Sequence, residues 1–138
     1  MKIDPYKHKE RYLSWKSKNN GEIKGMTKAN SDLTMKYLSD MEKGINIAQG
    51  SVKGPRSFIR LNSIRDKMRF FSQKIKELFN LDDLTKITEE QLIEFFGKMR
   101  TGELKKLDGK EYTSTDTFAR AFKSFWHWHQ KATEMGSV

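Results

Sequence analysis

The stretch that decides the fold covers residues 55–79 and reads PRSFIRLNSIRDKMRFFSQKIKELF. Its apolar residues recur in steps of three and four, which places them on one face of an α-helix. A proline suits the first turn of a helix because it has no amide hydrogen to lose. The spacing therefore predicts one long helix from near residue 55 to about residue 79, with an apolar stripe formed by Phe58, Leu61, Ile64, Met68, Phe71, Ile75 and Leu78.

A line of cations runs beside this apolar stripe and consists of Arg56, Arg60, Lys67 and Lys74. Steps of four, seven and seven keep these residues on one side of a helix. The chain carries 27 Lys and Arg against 18 Asp and Glu, a net +9, and residues 51–79 contribute eight of the bases but only two of the acids. Such a concentrated excess favours a polyanionic partner, nucleic acid ahead of a membrane surface. The alternative is that these cations only solubilise an exposed helix face.

Three further segments have helical spacing and recognisable ends. Residues 88–91, Thr-Glu-Glu-Gln, form a capping box, and Gly102 ends the helix that follows. A helix that starts near Asn30 or Ser31 ends at Gly44, and the last helix starts within residues 112–115. Residues 6–18 could form a short helix. The chain is thus predicted to be all-α, with four core helices in two hairpins over residues 28–134 and a basic appendage over residues 1–27.

The composition excludes several classes of site. The absence of cysteine rules out a disulfide scaffold, a thiolate zinc site and a thiol nucleophile. His127 and His129 are two residues apart, so we expect one exposed imidazole and one packed among aromatic rings rather than a metal-binding pair. Trp126 continues the buried stripe of the last helix, whereas Trp128 lies off it. No phosphate-binding glycine motif occurs, and we expect no metal and no cofactor. No apolar run approaches the roughly 20 residues of a membrane span, so we expect a cytoplasmic protein without membrane attachment.

Three strings carry a resemblance to a known family: KGPRSFIRLNSIRDKMRFF at 53–71, LTKITEEQLIEFFGKMRTGEL at 84–104 and DGKEYTSTDTFARAFKSFWHWH at 108–129. Their order and spacing resemble the N-terminal core-binding domain of tyrosine recombinases (phage integrases), in particular the archaeal branch. The resemblance implies a SAM-like four-helix bundle that forms one jaw of a clamp around duplex DNA. It also implies a nucleoid-associated protein that acts in DNA integration and recombination and self-associates on DNA through the full-length protein.

The resemblance further implies that the starts of the second and fourth bundle helices contact DNA. Arginine can fork onto phosphate or guanine, and helix N-termini and hydroxyl groups are good phosphate donors. We therefore expect the two helix starts to meet on one concave surface. The residues carried over by position are Lys53, Arg56, Ser57, Arg60, Lys110, Tyr112, Ser114, Thr115, Arg120 and Lys123.

The catalytic residues of that family are not expected in this chain. The family's catalytic domain supplies an Arg, a Lys, a His-x-x-Arg motif and a nucleophilic Tyr that attacks phosphorus. Residues 8–11 spell His-Lys-Glu-Arg, but they precede the bundle rather than follow it. We expect a non-catalytic binding module of duplex DNA. The alternative is a helical protein–protein interaction domain without DNA affinity, which predicts an exposed apolar patch.

Overall fold

The computed structural model describes residues 7–19, 23–44, 57–104 and 115–134, and these residues form helices and short connections without a strand. The predicted all-α fold is confirmed. The described residues form five α-helices, the four predicted core helices and the short helix that residues 6–18 could form, together with one 3₁₀ turn at Leu84–Lys86. The helices are α1 His8–Lys18, α2 Lys28–Lys43, α3 Phe58–Phe79, α4 Glu89–Arg100 and α5 Thr115–Glu134.

The helix starts are fixed by local side-chain caps. The predicted capping box is confirmed, since the Thr88 hydroxyl accepts from the Gln91 amide at 3.1 Å and the Gln91 side chain accepts from the Thr88 amide at 2.9 Å. Ser57 caps α3 by accepting from the amide of Arg60. Thr27 caps α2, three residues earlier than the start predicted at Asn30. Each cap satisfies an amide that would otherwise lack a partner in the first turn.

The helix ends are likewise fixed locally, by residues with a left-handed backbone conformation. Gly44 ends α2 with φ of +74°, and Gly102 follows α4 with φ of +81°. These left-handed conformations cost glycine little because it has no Cβ. Asn80 takes the same conformation after α3, with φ of +56°, and asparagine is one of the few other residues that adopt it readily. The predicted ends at residues 44, 79 and 102 agree with the structure to within two residues.

Helix α3 lies at the centre of the bundle, and its predicted apolar stripe is buried against the other helices. Phe71 is completely buried, and its ring lies 5.1 Å from that of Phe122 at an interplanar angle of 88°. Such edge-to-face packing is favourable for aromatic pairs. The Phe71 ring also approaches three further rings at 6.2–6.4 Å, those of Phe95, Phe96 and Phe118.

Helix α1 belongs to this core, which corrects the expected appendage over residues 1–27. The Tyr12 side chain is completely buried, with its ring 5.8 Å from that of Phe58. The Asn62 amide donates to the His8 carbonyl at 2.9 Å, and Lys16 pairs with Glu42 at 2.6 Å. Tyr12 and Trp15 both pack on the core, but two rings on an otherwise mostly polar helix are too few to define a periodic apolar face.

The indole rings of α5 are placed differently from the expectation. Trp126 packs against the core, as predicted, but remains partly exposed. Trp128 is 1% exposed, and its Nε1 donates to Asp40 Oδ2 at 2.8 Å. Trp128 therefore lies on the buried side of α5, because α2 covers that flank. The two imidazoles are as predicted: His127 is exposed, and His129 stacks on the ring of Phe125 at 6.3 Å.

Candidate nucleic-acid interface

A gap of about 10 Å³, with room for about one water molecule, lies between the first half of α3 and the middle of α5, and we call the surface around it the α3–α5 flank. Arg60, Ser63 and Lys67 line it from α3, while Ala121 and Ser124 line it from α5. Residues 60, 63 and 67 share one side of α3 because they are three and four apart. Two cations and two hydroxyl groups therefore face the same gap, which is a suitable set of donors for phosphate oxygens.

Lys67 is held in a fixed position within this flank. Its Nζ donates to the Ser63 hydroxyl at 2.7 Å and lies 5.7 Å from the centroid of the Phe118 ring. Burial lowers the pKa of Lys67, and the nearby Arg60 guanidinium lowers it further, whereas Asp66 acts in the opposite direction. Two cations thus repel each other here, and an added phosphate would relieve that repulsion.

The predicted line of cations along α3 is divided by the structure. Lys74 forms an ion pair with Glu77 at 3.4 Å, and its side chain is only 18% exposed. Arg60 and Lys67 have no carboxylate oxygen of a described residue within 4.0 Å. Among the described residues of this line, Arg60 and Lys67 therefore remain unpaired in the α3–α5 flank, while Lys74 is paired with Glu77, and Arg56 lies outside the described residues.

Arginine and lysine differ sharply in their pairing across the described residues. All ion pairs there are made by lysines, namely Lys16, Lys28, Lys36, Lys74, Lys76 and Lys98. No arginine of the described part takes part in one. The planar guanidinium group of arginine can donate two parallel hydrogen bonds to a phosphate, which lysine cannot do. The arginines without a carboxylate partner are therefore well suited to bind an anion. They are Arg11, Arg60, Arg65, Arg69, Arg100 and Arg120.

Three of the predicted contact residues, Thr115, Arg120 and Lys123, lie on the described part of α5. Arg120 is exposed and precedes Ser124 by one helical turn, so it extends the α3–α5 flank. Lys123 instead lines a groove between α4 and α5, together with Arg100. Thr115 is the first residue of α5 and is half-buried. Arg120 and Lys123 are three residues apart, so they are neighbours on the exposed surface of α5, with Lys123 also lining the groove.

The starts of α3 and α5 do not meet, which differs from the expectation. The ring of Phe118, in the first turn of α5, lies 4.9 Å from that of Phe70, whereas Ser124 lies beside Arg60. The two helices therefore run antiparallel. Phe70 is thirteen residues beyond Ser57, so the two helix starts are offset by about 20 Å along α3. The starts of these two helices, as far as the structure describes them, therefore do not form one common point for the predicted contact residues.

A second basic cleft, between α1 and α3, was missed by the sequence analysis. It has a volume of about 440 Å³ and is lined by Lys7, Arg11, Lys18 and Arg65 around the indole of Trp15. The Arg65 guanidinium lies 5.0 Å from the centroid of the Trp15 ring, and its Nε donates to Asn62 Oδ1 at 2.7 Å. Burial lowers the pKa of Arg65. The charge of Asp66 acts against this shift, and the nearby Arg11 guanidinium adds to it. The cleft forms only because α1 packs on α3, which the sequence pattern did not show.

The groove between α4 and α5 is mainly apolar, and we call it the α4–α5 groove. Leu92, Ile93, Phe96, Phe122 and Trp126 line a volume of about 380 Å³, and the cations Arg100 and Lys123 complete the lining. Ile93 is 67% exposed, the highest value among the large apolar residues described. This groove is the kind of exposed apolar surface that a protein-interaction domain requires.

Five of the predicted contact residues, Lys53, Arg56, Lys110, Tyr112 and Ser114, lie outside the described residues. Within the described ranges, no group of three or more His, Asp or Glu side chains could hold a metal ion. None of the helices in those ranges combines the length and the apolar character that crossing a membrane requires. A scan of protein-family models, a search of curated proteins and a search of solved structures each found no match to this chain.

Proposed function

We propose that this chain is a duplex DNA-binding module of the kind that tyrosine recombinases use to clamp DNA, without catalytic residues of its own. The observation that carries the proposal is that the ion pairs among the described residues use six lysines and no arginine, so the described guanidinium groups have no carboxylate partner there. Unpaired guanidinium groups on a chain of net charge +9 are suited to a phosphate backbone.

The shape of the α3–α5 flank supports a duplex over a small anion. An offset of about 20 Å between the helix starts corresponds to about six base pairs at 3.4 Å each. Arg60 and Lys67 are separated by about 10 Å along α3, and Arg120 lies one turn before Ser124 on the facing helix. The resemblance of residues 53–71, 84–104 and 108–129 to the recombinase core-binding domain supports the same assignment.

A binding measurement across a salt series tests the proposal. We expect the full chain to bind a random-sequence duplex, with affinity falling about 10³-fold between 50 and 200 mM salt if about six phosphates are neutralised. Arg60→Gln and Arg120→Gln should each reduce the slope of log K against log salt by about one. Lys86→Gln removes the same charge from an exposed position on the 3₁₀ turn and serves as the control.

Three outcomes are informative. A reduced slope in the Arg60 and Arg120 variants, with an unchanged slope for Lys86→Gln, supports the assigned flank. Equal reductions in all three variants would mean that only net charge matters, which contradicts the assignment of the flank. Absence of binding at 50 mM salt would contradict the function itself.

The α4–α5 groove favours a second candidate, a helical protein-interaction module. Its apolar lining and the exposure of Ile93 match the surface that this alternative predicts. The two candidates differ in one measurement, because the second predicts no DNA affinity above background at moderate salt. The groove and the α3–α5 flank lie on different sides of α5, so one molecule has room for both activities.

A further inference from the structure

Gly97 lies inside α4, where a glycine weakens a helix because its backbone loses more freedom on folding than that of any other residue. Apart from its two chain neighbours and the backbone of α4 itself, no described residue has an atom within 4 Å of the point where a Cβ at residue 97 would lie. The described fold would therefore accept alanine at this position without a clash. A missing Cβ is useful where something outside the helix must approach its backbone closely.

Ile93 lies one helical turn before Gly97, on the same exposed side of α4. Its side chain is 67% exposed, and it lines the α4–α5 groove together with Phe96. The exposed Ile93 side chain can insert into a neighbouring surface, and the backbone at Gly97 can accept a side chain from that surface. Both belong to one face of one helix, so the face can be complementary to itself.

The charges on this face have opposite signs at its two ends. Glu89, Glu90 and Glu94 are exposed near the start of α4, whereas Arg100 lies at its end beside Lys123 of α5. None of these five residues has an ion-pair partner among the described residues. If a second α4 is laid antiparallel against the first, its acidic start faces the basic end of the first helix, and the reverse contact follows by symmetry.

We propose that this face of α4 binds the same face of a second copy of the chain, with the two helices antiparallel about a two-fold axis. In this arrangement Ile93 enters the groove of the second copy beside its Phe96, and Gly97 lets the two backbones approach. Glu89 then faces the second copy's Arg100, and the contact repeats on the other side of the axis, as an isologous interface requires. The proposal does not depend on DNA binding.

The interface is small, so the complex is expected to be weak. A helix of twelve residues is about 18 Å long, and a pair of such helices buries less surface than a stable dimer needs. We expect a dissociation constant on the order of 100 µM for the free protein. Two copies held side by side by any third molecule would associate more strongly, because tethering raises their effective concentration.

Sedimentation velocity of the full chain from about 10 µM to about 1 mM measures this equilibrium. Ile93→Glu should weaken association at least tenfold, because it places a carboxylate in an apolar groove. Ile59→Glu is the matched control, since Ile59 is 62% exposed on α3 and should leave association unchanged. A single species of monomer mass at 1 mM would overturn the proposal, and so would equal effects of the two substitutions.

Gly97→Ala distinguishes a role of Gly97 in association from a role in folding. Alanine favours the helix, so this variant should unfold at a higher temperature than the original chain while associating at least tenfold more weakly. Unchanged association in this variant would contradict the close approach of the backbones.

Charge reversal tests the orientation of the two helices. Glu89→Lys and Arg100→Glu should each weaken association, and the two changes combined in one chain should restore it, because each copy then presents the reversed pair. Failure of the combined variant to recover would overturn the antiparallel arrangement. Binding of a different protein at this face of α4, without association between copies of the chain, would also overturn the proposal.

Discussion

Replacing Asp40 by alanine should destabilise the protein strongly through a contact between α2 and α5. Asp40 Oδ2 accepts a hydrogen bond of 2.8 Å from Trp128 Nε1, and the Asp40 side chain is only 4% exposed. Lys36 lies 3.5 Å from the other carboxylate oxygen, Oδ1. The substitution leaves the indole N–H buried without an acceptor, because Trp128 is 1% exposed and water cannot replace the carboxylate. We expect a loss of about 2–4 kcal/mol in the free energy of unfolding.

A double-mutant cycle separates this hydrogen bond from the packing around it. Trp128→Phe removes the donor and also leaves a void, so it should cost a similar amount on its own. When both residues are replaced, the loss should fall short of the sum of the single losses by about 1.5–3 kcal/mol, the usual range for a hydrogen bond to a charged group. Asp40→Asn is the conservative control, since it keeps an acceptor and should cost less than alanine.

Urea unfolding followed by far-UV circular dichroism gives the four free energies. The slope of free energy against urea should remain constant across the variants, which shows that stability alone has changed. Losses that add to within about 0.5 kcal/mol would refute the reasoning, because the two groups would then act independently. A loss of this size matters, since the total stability of a single domain is about 5–15 kcal/mol.

Three further predictions concern caps, a turn and a buried imidazole. Thr88→Ala should cost about 1 kcal/mol in urea unfolding, whereas Thr88→Ser should retain the cap, and equal stability of the two variants would contradict its role. Gly44→Ala should cost about 1 kcal/mol because its φ is +74°, and an unchanged midpoint of unfolding would count against this. Burial lowers the pKa of His129 from 6.5, with Asp83 acting against the shift, and its Nδ1 has no hydrogen-bond partner among the described residues. The unfolded chain therefore binds the proton first, so the stability from neutral His129 is present above about pH 6.5 and is lost as the pH falls below it. His129→Phe should flatten this dependence between pH 7 and 5 while His127→Gln leaves it in place, and the opposite pattern would rule out His129 as its source.

The positions of the helices could be predicted from the sequence because their determinants are local. The capping box at Thr88 acts over three residues, and the glycine conformations at residues 44 and 102 each depend on a single position. The apolar stripe of α3 repeats often enough to define both a helix and its buried face. The charge excess at residues 51–79 could likewise be counted without coordinates.

The candidate site depended on distances that no local pattern encodes. Sequence spacing placed Arg60, Lys67 and Lys74 on one line, but only the packed structure showed that Lys74 pairs with Glu77 and that Lys67 lies over the ring of Phe118. The second basic cleft required α1 to pack through Tyr12 and Trp15, and two rings are too few to produce a periodic pattern. In the same way, the sequence does not reveal the antiparallel arrangement that separates the starts of α3 and α5.

The sequence by itself determined the helical class, the ends of most helices and the sign of the charge, because each depends on neighbours along the chain. The tertiary structure decided which cations are neutralised, which indole is buried, and which face of α4 is left uncovered. These properties arise between residues far apart in sequence, such as Asp40 and Trp128, which are separated by 88 positions. Burial and pairing depend on what the other helices place beside a group, and that is settled only when they pack together.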